Sequence, residues 1–424
     1  MSQACGVDFG TSNSTVGWHR GAQSVLLALE QDKLTLPSVI FFNAEEHEVS
    51  YGRAALANYL AGYEGRLMRS MKSLLGTSLI DGQTEVMGKP LAFRDLLSQF
   101  IGELKKRAEL SAGQAFEHAV FGRPVHFIDD NRQADQIAQN TLEDIARAVG
   151  FKEVHFQFEP IAAAFDYESR IEKEELVLIA DIGGGTSDFS LVRLAPERAH
   201  LLDRHDDILG NGGIHIGGTD FDKYLSLTHI MPLLGLGGRL ANQTDVPSSY
   251  YFNLATWHTI NLAYTQKVWR ELQDVYRDIQ SSDVRQRFER LLNLVEDRDG
   301  HWLAIKSEEA KILLSDQDAI NLPLERLRSK PVSVPCSLIL EQEGLQSAIG
   351  HLSRDIAQAV ANVLQQAGIR PDQVDTVFFT GGSSGVRGLR QQIAAIVPNA
   401  RKVEGDLFGS IGAGLGLDAA RRFA

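Results

Sequence analysis

The sequence predicts an α/β fold built from two duplicated lobes, and three observations predict it. A strand–turn–strand phrase occurs twice, as Val7-Asp8-Phe9-Gly10-Thr11-Ser12-Asn13-Ser14 and as Leu178-Ile179-Ala180-Asp181-Ile182-Gly183-Gly184-Gly185-Thr186-Ser187-Asp188. The two aspartates lie 173 residues apart, about one domain length, which is what a duplication gives. Short apolar strands alternate with helical periodicity through both halves, the pattern of helices packed on internal sheets. At 424 residues, 43% hydrophobic and 23% charged, the chain can bury two substantial cores.

Each hairpin carries its own chemistry. A turn of Gly and hydroxyl residues leaves backbone N–H groups facing a concave nest, which suits a phosphate. The Asp at the end of each first strand can hold a hydrated divalent cation, since Mg²⁺ prefers carboxylate oxygens and water. One Asp-x-Gly is an ordinary hairpin turn. Two with the same Asp, Gly and Thr order point to two lobes facing one polyphosphate and its Mg²⁺.

The elements follow in order. After the Asp8 hairpin, residues 38–43 read as a strand and 52–63 and 93–110 as helices. Residues 119–121 read as a strand, Arg123-Pro124-Val125 as a break and 132–149 as a long amphipathic helix. A strand at 155–158 runs into Glu159-Pro160, where Pro at a first turn opens the helix 161–169. The charged segment 172–175 is the expected boundary between lobes. The second lobe begins with a strand at 176–180, then a turn at Asn211-Gly212-Gly213 and a helix at 221–227. Residues 233–251 read as loop and 254–314 as mostly helical, with the aromatics Tyr250, Tyr251, Phe252, Trp257, Tyr264 and Trp269 serving either core packing or a partner surface. A buried strand at 376–380 meets Gly381-Gly382 and a helix, and a Gly-rich helix spans 409–417.

Composition narrows the function. A net charge of −13 argues against a general nucleic-acid or anionic-membrane surface. No signal peptide or membrane span is legible. Two cysteines, Cys5 and Cys336, make no disulfide framework, so a reducing cytoplasm is expected. Twelve histidines show no metal-ligand spacing. Gly381-Gly382-Ser383-Ser384-Gly385 satisfies the G-x-S-x-G of a hydrolase nucleophile elbow, but the last histidine, His351, lies upstream of Ser383, and chain order excludes that reading.

With these motifs placed, the chain resembles the ATPase half of the DnaK-type heat-shock 70 chaperones, in the wider actin–hexokinase–DnaK superfamily. Both phosphate loops match, as do Met71-Lys72-Ser73-Leu74-Leu75-Gly76, the segment from Pro124 to Arg132, Phe158-Glu159-Pro160-Ile161, and Ile216-Gly217-Gly218-Thr219-Asp220. The resemblance implies a two-lobed actin-like ATPase fold of duplicated ribonuclease H-like domains with an ATP cleft between lobes. Lobe I would span 1–172, lobe II 173–400 with a helical subdomain near 223–320, and residues 401–424 would return to lobe I.

The resemblance also implies roles. Asp8 and Asp181 hold Mg²⁺ through water. Gly10, Thr11, Ser12 and Asn13 contact the β- and γ-phosphates, with Gly183, Gly184, Gly185 and Thr186 opposite, and Gly217 and Gly218 present a further phosphate contact. Lys72 and Glu159 position the attacking water, Thr186 sits by the γ-phosphate, and Asp188 orients the water or acts as base. Pro124 and Arg132 form a switch pair. Glu308, Lys311 and Ser315 face ribose and base, as do Gly381, Gly382 and Ser383. Gly385 stands where the family has an adenine-stacking arginine, so stacking is lost or passes to Arg387.

Taken singly, several of these residues keep plainer readings. A lysine after a methionine is ordinarily a solvated surface residue, Glu-Pro is an ordinary helix start, Pro124 can simply end a strand, and the charges at 308–311 can pair at i,i+3. Beyond the last helix no peptide-binding domain is legible, which resembles the short YegD-like members. The expected function is a slow Mg²⁺-dependent ATPase that acts as a nucleotide-gated switch on a protein partner. A small-molecule kinase and an actin-like filament protein of the same superfamily remain open alternatives.

Overall fold

Two mixed sheets of one design organise the chain. In the first, the order is Glu153–Phe158, His118–Arg123, Ala4–Phe9, Asn13–Arg20, Gln23–Leu26, with Leu36–Pro37 also paired to Asn13–Arg20. In the second it is Arg401–Glu404, Thr376–Thr380, Glu175–Ile182, Ser187–Leu194, Ile208–Ile214. Each sheet joins a three-stranded antiparallel meander to two parallel strands added beside its first member. The computed structural model describes residues 3–21, 23–128, 131–327, 336–406 and 409–423. Asp129 and Asp130, within the motif from Pro124 to Arg132, lie outside the described residues.

The chain divides into two compact units, Met1–Ile214 with Ala359–Ser384 and Ala394–Ala424, and His215–Gln358 with Gly385–Ile393. Both sheets belong to the first. The long helix Phe93–Ala112 covers the first sheet with Leu96, Leu97, Phe100, Ile101 and Leu104 and stops at Gly113, whose φ of +68° suits a left-handed C-terminal cap. Helix Arg132–Ala148 is capped by the Asn131 side chain, which accepts the Ala134 N–H at 3.0 Å. A second core joins the sheets: Val120 of one and Val177, Ile179 and Val192 of the other meet Ile161 to Phe165 of helix Glu159–Glu168 and Leu415 and Ala419 of the closing helix Ser410–Arg422.

That closing helix packs at backbone distance. A Cβ on Gly6 would strike the Gly416 amide, one on Gly17 the Gly412 carbonyl, and one on Gly414 the Ala162 carbonyl. The glycines of the expected helix at 409–417 are therefore contact positions. The helix also continues to Arg422, where buried Asp418 receives Arg422 Nε at 2.8 Å.

The second unit is mostly helical: Gly218–Leu225, Ser249–Ala255, Gln266–Asp278, Ser282–Glu296 and Gly300–Asp316, followed by the hairpin Ala319–Leu324 with Cys336–Glu341. Helix Gln342–Gln366 comes next in the chain. Among the expected aromatics Tyr250 and Tyr251 are buried core, the Tyr251 hydroxyl donating to the Leu234 carbonyl at 3.1 Å, while Phe252 stays 44% exposed. Among the described residues no helix is long and apolar enough to cross a membrane.

Two local expectations are corrected. Asn211-Gly212-Gly213 is not a turn but part of strand Ile208–Ile214, where Gly213 pairs with Asp188 and a Cβ would lie 2.7 Å from its carboxylate. Glycine in a strand here marks a close approach, not a reversal. The stretch expected as loop at 233–251 contains the end of the turn Met231–Leu234 and the start of helix Ser249–Ala255.

Gly414→Val should cost about 3 kcal/mol or more, because it forces the closing helix off the backbone of helix Glu159–Glu168. Gly102→Ala, in mid-helix with its nearest foreign atom at 3.6 Å, should instead gain about 0.5–1 kcal/mol. Urea midpoints of the two variants check this contrast.

Candidate functional site

The first hairpin folds tightly because Gly10 has no side chain: a Cβ there would overlap the Asn13 carbonyl. Its tip is braced by hydroxyls. Ser38 Oγ donates to the Gly10 carbonyl at 2.7 Å and meets Ser14 Oγ at 2.9 Å, and the Ser38 N–H donates to the Ser12 carbonyl at 2.9 Å. In the second hairpin the Gly183 N–H donates to the Thr186 carbonyl at 2.9 Å. The tips face one another, since a Cβ on Gly184 would run into the Ser12 hydroxyl. Gly185 opens onto free space, with no atom within 4 Å of a Cβ.

Both hairpins use one register. Asp8 pairs with Thr15, whose hydroxyl donates to Asp8 Oδ2 at 3.4 Å, and Asp181 pairs with Asp188. Two carboxylates directly opposite on a sheet repel, and Thr186 Oγ1 donates to Asp188 Oδ2 at 2.9 Å. Asp181 also sits beside Thr380 of the neighbouring parallel strand, after which Gly381, at φ +80°, turns so closely under it that a Cβ would overlap the carboxylate. Gly382 is exposed and Ser383 buried in the turn that follows.

Lys72 stands on the short turn Met71–Leu74, anchored by buried Met71 and entered through Ser70 at φ +55°. Its ammonium donates to Glu159 Oε1 at 2.5 Å. Glu159 is the first residue of its helix, with Pro160 next, and Gly122 leaves room for it: a Cβ there would lie 3.1 Å from Glu159 Cγ.

Electrostatics bind these groups together. Burial, then the Glu159 charge, pushes the Asp8 carboxyl up to about 7 against the opposing pull of Lys72. Burial, then Asp188, Glu159 and Asp8, pushes Asp181 up to about 8. Burial alone would lower the Lys72 ammonium, but Glu159, Asp8 and Asp181 outweigh it and hold its pKa above the ordinary lysine value. Three carboxyl groups, of Glu159, Asp8 and Asp181, thus act on the Lys72 ammonium, and Asp188 acts on Asp181. This donor set lacks positive charge and fits a hard divalent cation held by one or two carboxylates and water. Among the described residues no three His, Cys, Asp or Glu side chains form a direct metal cage.

Of the residues expected at the site, Asp8, Gly10 to Asn13, Lys72, Glu159, Asp181, Gly183 to Thr186, Asp188 and Gly381 to Ser383 belong to the first unit. Pro124 follows strand His118–Arg123 in the same unit, and Arg132 is exposed at the first position of its helix. Gly217, Gly218, Glu308, Lys311 and Ser315 belong to the second unit. There Gly217 precedes helix Gly218–Leu225, its N–H donating to Asp220 Oδ2 at 3.1 Å. Buried Lys311 donates to the Gly218 carbonyl at 3.2 Å and pairs with Asp222 at 2.9 Å. Ser315 Oγ donates to the Lys311 carbonyl, and Glu308 is exposed. The Arg387 fork holds Asp318 at 3.0 Å and the Asp316 carbonyl at 2.8 Å.

Sequence reading missed Thr15, Ser38, Gly122 and Gly213. Hairpin register could have found Thr15, because counting outward from the turn sets it opposite Asp8 as it sets Asp188 opposite Asp181. The other three reach the site across strands distant in sequence.

Duplicated mixed sheets whose hairpins face each other across an acidic cluster define the two-lobed, actin-like α/β class. Comparison with known proteins is specific: the chain belongs to the family described as Hsp70 protein, which matches residues 4–233 and 288–415. Residues 234–287, including helices Ser249–Ala255 and Gln266–Asp278, lie between the matched segments. The chain is 26% identical over 409 residues to a chaperone protein HscA homolog of Pseudoalteromonas atlantica, covering 92% of this chain and 54% of the relative. It is 25% identical over 398 residues to the chaperone protein DnaK of Mycoplasmoides gallisepticum, covering 93% and 56%. The chain spans about half the length of these curated relatives.

The raised Asp181 carboxyl gives a pH signature in the metal-free protein. A carboxyl that keeps its proton when folded, but ionises near 3.8 when unfolded, favours the fold at low pH and loses that contribution as pH rises toward 8. Asp181→Asn cannot ionise, so its stability relative to the parent should rise by on the order of 2 kcal/mol between pH 5 and pH 8. Paired urea titrations in chelator at the two pH values measure this, and a difference independent of pH contradicts it.

Proposed function

We propose that the chain is a slow, Mg²⁺-dependent ATP hydrolase whose nucleotide state switches its hold on a protein partner. The single observation that carries this reading is the convergence of Asp8, Glu159 and Asp181 on the Lys72 ammonium, with Asp188 beside Asp181, at two facing Gly-rich hairpins. In-line phosphoryl transfer needs positioning and charge neutralisation more than covalent chemistry. Backbone N–H groups at the two hairpin tips, with the Gly183 N–H kept for closing its own turn, hold the β- and γ-phosphates. Asp8 and Asp181 are the residues that would hold a hydrated Mg²⁺, which would supply charge neutralisation at the phosphates. Lys72, oriented by Glu159, faces the developing charge and aligns the attacking water. Thr186 donates its hydroxyl proton to Asp188, which ties the Thr186 hydroxyl to the carboxylate that orients the water. The products are ADP and phosphate.

Membership of the Hsp70 protein family supports this choice, as does the name chaperone protein borne by both relatives. A chaperone-related partner, and a reducing cytoplasmic setting, come to this chain as parts of the same proposal. Coupling to the partner would run through the spacing of the two hairpin tips, set by the phosphate between them.

Lys72→Ala and Thr186→Ala should each lower ATP turnover by about 10²–10³ with the fold intact, and chelation of Mg²⁺ should abolish it. Turnover with product analysis, with and without a panel of hydroxylated metabolites, tests the assignment. Unchanged rates in both variants sink it, and a phosphorylated metabolite would make the chain a kinase instead.

Metal binding should also expel protons. At pH 7, Asp8 near 7 and Asp181 near 8 retain part of their protons until a cation arrives. Calorimetric titration of Mg²⁺ with ADP, in buffers of different ionisation enthalpy, should register net proton release that shrinks in Asp181→Asn to the share carried by Asp8.

A further inference from the structure

Arg123 is the most heavily engaged cation near the site, and neither motif nor mechanism has used it. It ends strand His118–Arg123, with its side chain 11% exposed. Nε donates to the Pro124 carbonyl at 3.1 Å, and Nη2 donates to the Val125 carbonyl at 3.2 Å and to both Asp135 oxygens at 2.7 and 3.0 Å. Nη1 donates to Gln139 Oε1. Asp135 in turn accepts the Phe127 N–H at 2.6 Å. The guanidinium plane lies 5.3 Å from the Phe127 ring centroid and 5.4 Å from that of Phe158. One planar fork therefore gathers three pieces of backbone: the segment 124–127, the first turns of helix Arg132–Ala148, and the end of strand Glu153–Phe158.

The last of these matters most. Arg123 and Phe158 are register partners, and Phe158 is the cap residue from which Glu159 starts its helix. Its ring is flanked by Arg123 on one side and His205, at 6.0 Å, on another. Glu159 then reaches Lys72 at 2.5 Å. Arg132, the expected partner of Pro124, is exposed at its helix start, whereas the fork on the Pro124 carbonyl is that of Arg123.

We propose that Arg123 is a positioning residue for the Lys72–Glu159 pair: it locks Phe158 and the 124–127 segment on one guanidinium and so fixes where Glu159 directs its carboxylate. This inference rests on the reading of Lys72 and Glu159 given above. It demands a planar, multidentate cation. Lysine offers a point charge without the fork and cannot stack as arginine does, so it should restore little.

The test uses Arg123→Met, Arg123→Lys, Glu159→Gln and the double variant Arg123→Met/Glu159→Gln in the full chain, with thermal melts to establish folding. Single-turnover hydrolysis at saturating ATP should fall about 10–30-fold in Arg123→Met and somewhat less in Arg123→Lys, with KM within about twofold of the parent. The double variant should match Glu159→Gln alone within about twofold, because Arg123 acts through Glu159. A folded Arg123→Met with parental turnover, or losses that multiply in the double variant, overturns the proposal. A second readout needs no ATP. Labelling of Lys72 by acetic anhydride, followed by mass spectrometry, should rise several-fold and equally in Arg123→Met and Glu159→Gln, with other lysines unchanged. If the parent and Glu159→Gln turn over ATP alike, the functional reading fails by itself, and Lys72 labelling still decides the role of Arg123: unchanged labelling in a folded Arg123→Met rejects it.

Discussion

The constraint on which the first unit depends is the repulsion among four carboxylates held at the ends of two sheets. Asp8, Glu159, Asp181 and Asp188 come from three different strand ends and a helix start, and the Lys72 ammonium opposes Asp8, Glu159 and Asp181. In a partly buried setting such charges interact far more strongly than in water. They stay together because rigid elements deliver them: paired strands fix Asp8, Asp181 and Asp188, and a Pro-initiated helix fixes Glu159. Glycine clears the space around three of them. Gly122 lies against Glu159, Gly213 against Asp188 and Gly381 against Asp181, each so close that a Cβ would intrude. Folding therefore preserves a charge imbalance that a loose arrangement would dissipate by letting the acids separate, and the deficit gives the site its appetite for cations.

The duplication is not symmetric where chemistry is concerned. Both hairpins share one register, but the residue opposite the first Asp is Thr15 and that opposite the second is Asp188. The first tip is braced by Ser14 and Ser38, while the second is built on three glycines followed by Thr186, with the Asp181–Asp188 pair behind it.

Much of this was legible before any coordinates. The two Asp-Gly-Thr phrases, the strand at 376–380 and the helices near 93–110, 132–149 and 161–169 emerge within a few residues of their expected limits, because strong apolar periodicity and a Pro or Gly at the ends leave little choice. The structure also pairs Lys72 with Glu159, two residues that the resemblance had grouped. Less legible were features that depend on distant neighbours. Gly212-Gly213 looks like a turn in isolation, and only the approach of Asp188 explains glycine inside a strand. Arg123 reads locally as a charged residue beside a proline; its meaning lies in Asp135, Gln139 and Phe158, none adjacent in sequence. The residues from 316 to 375 carried no motif, and so hairpin Ala319–Leu324 with Cys336–Glu341 and helix Gln342–Gln366 went unanticipated.

The glycines of the closing helix have a bearing on how the chain is made. Gly412 and Gly416 pack against residues near the other end of the sequence, Gly6, Thr15 and Gly17 among them. Strands Ala4–Phe9 and Asn13–Arg20 therefore leave the ribosome long before the helix that covers one of their faces, which follows about four hundred residues later. At a synthesis rate of roughly 5–20 residues per second, that interval lasts on the order of tens of seconds. Contacts of such long sequence separation also slow folding itself. During that time an apolar sheet face of the nascent chain lacks its final cover, the kind of surface through which unfinished chains aggregate.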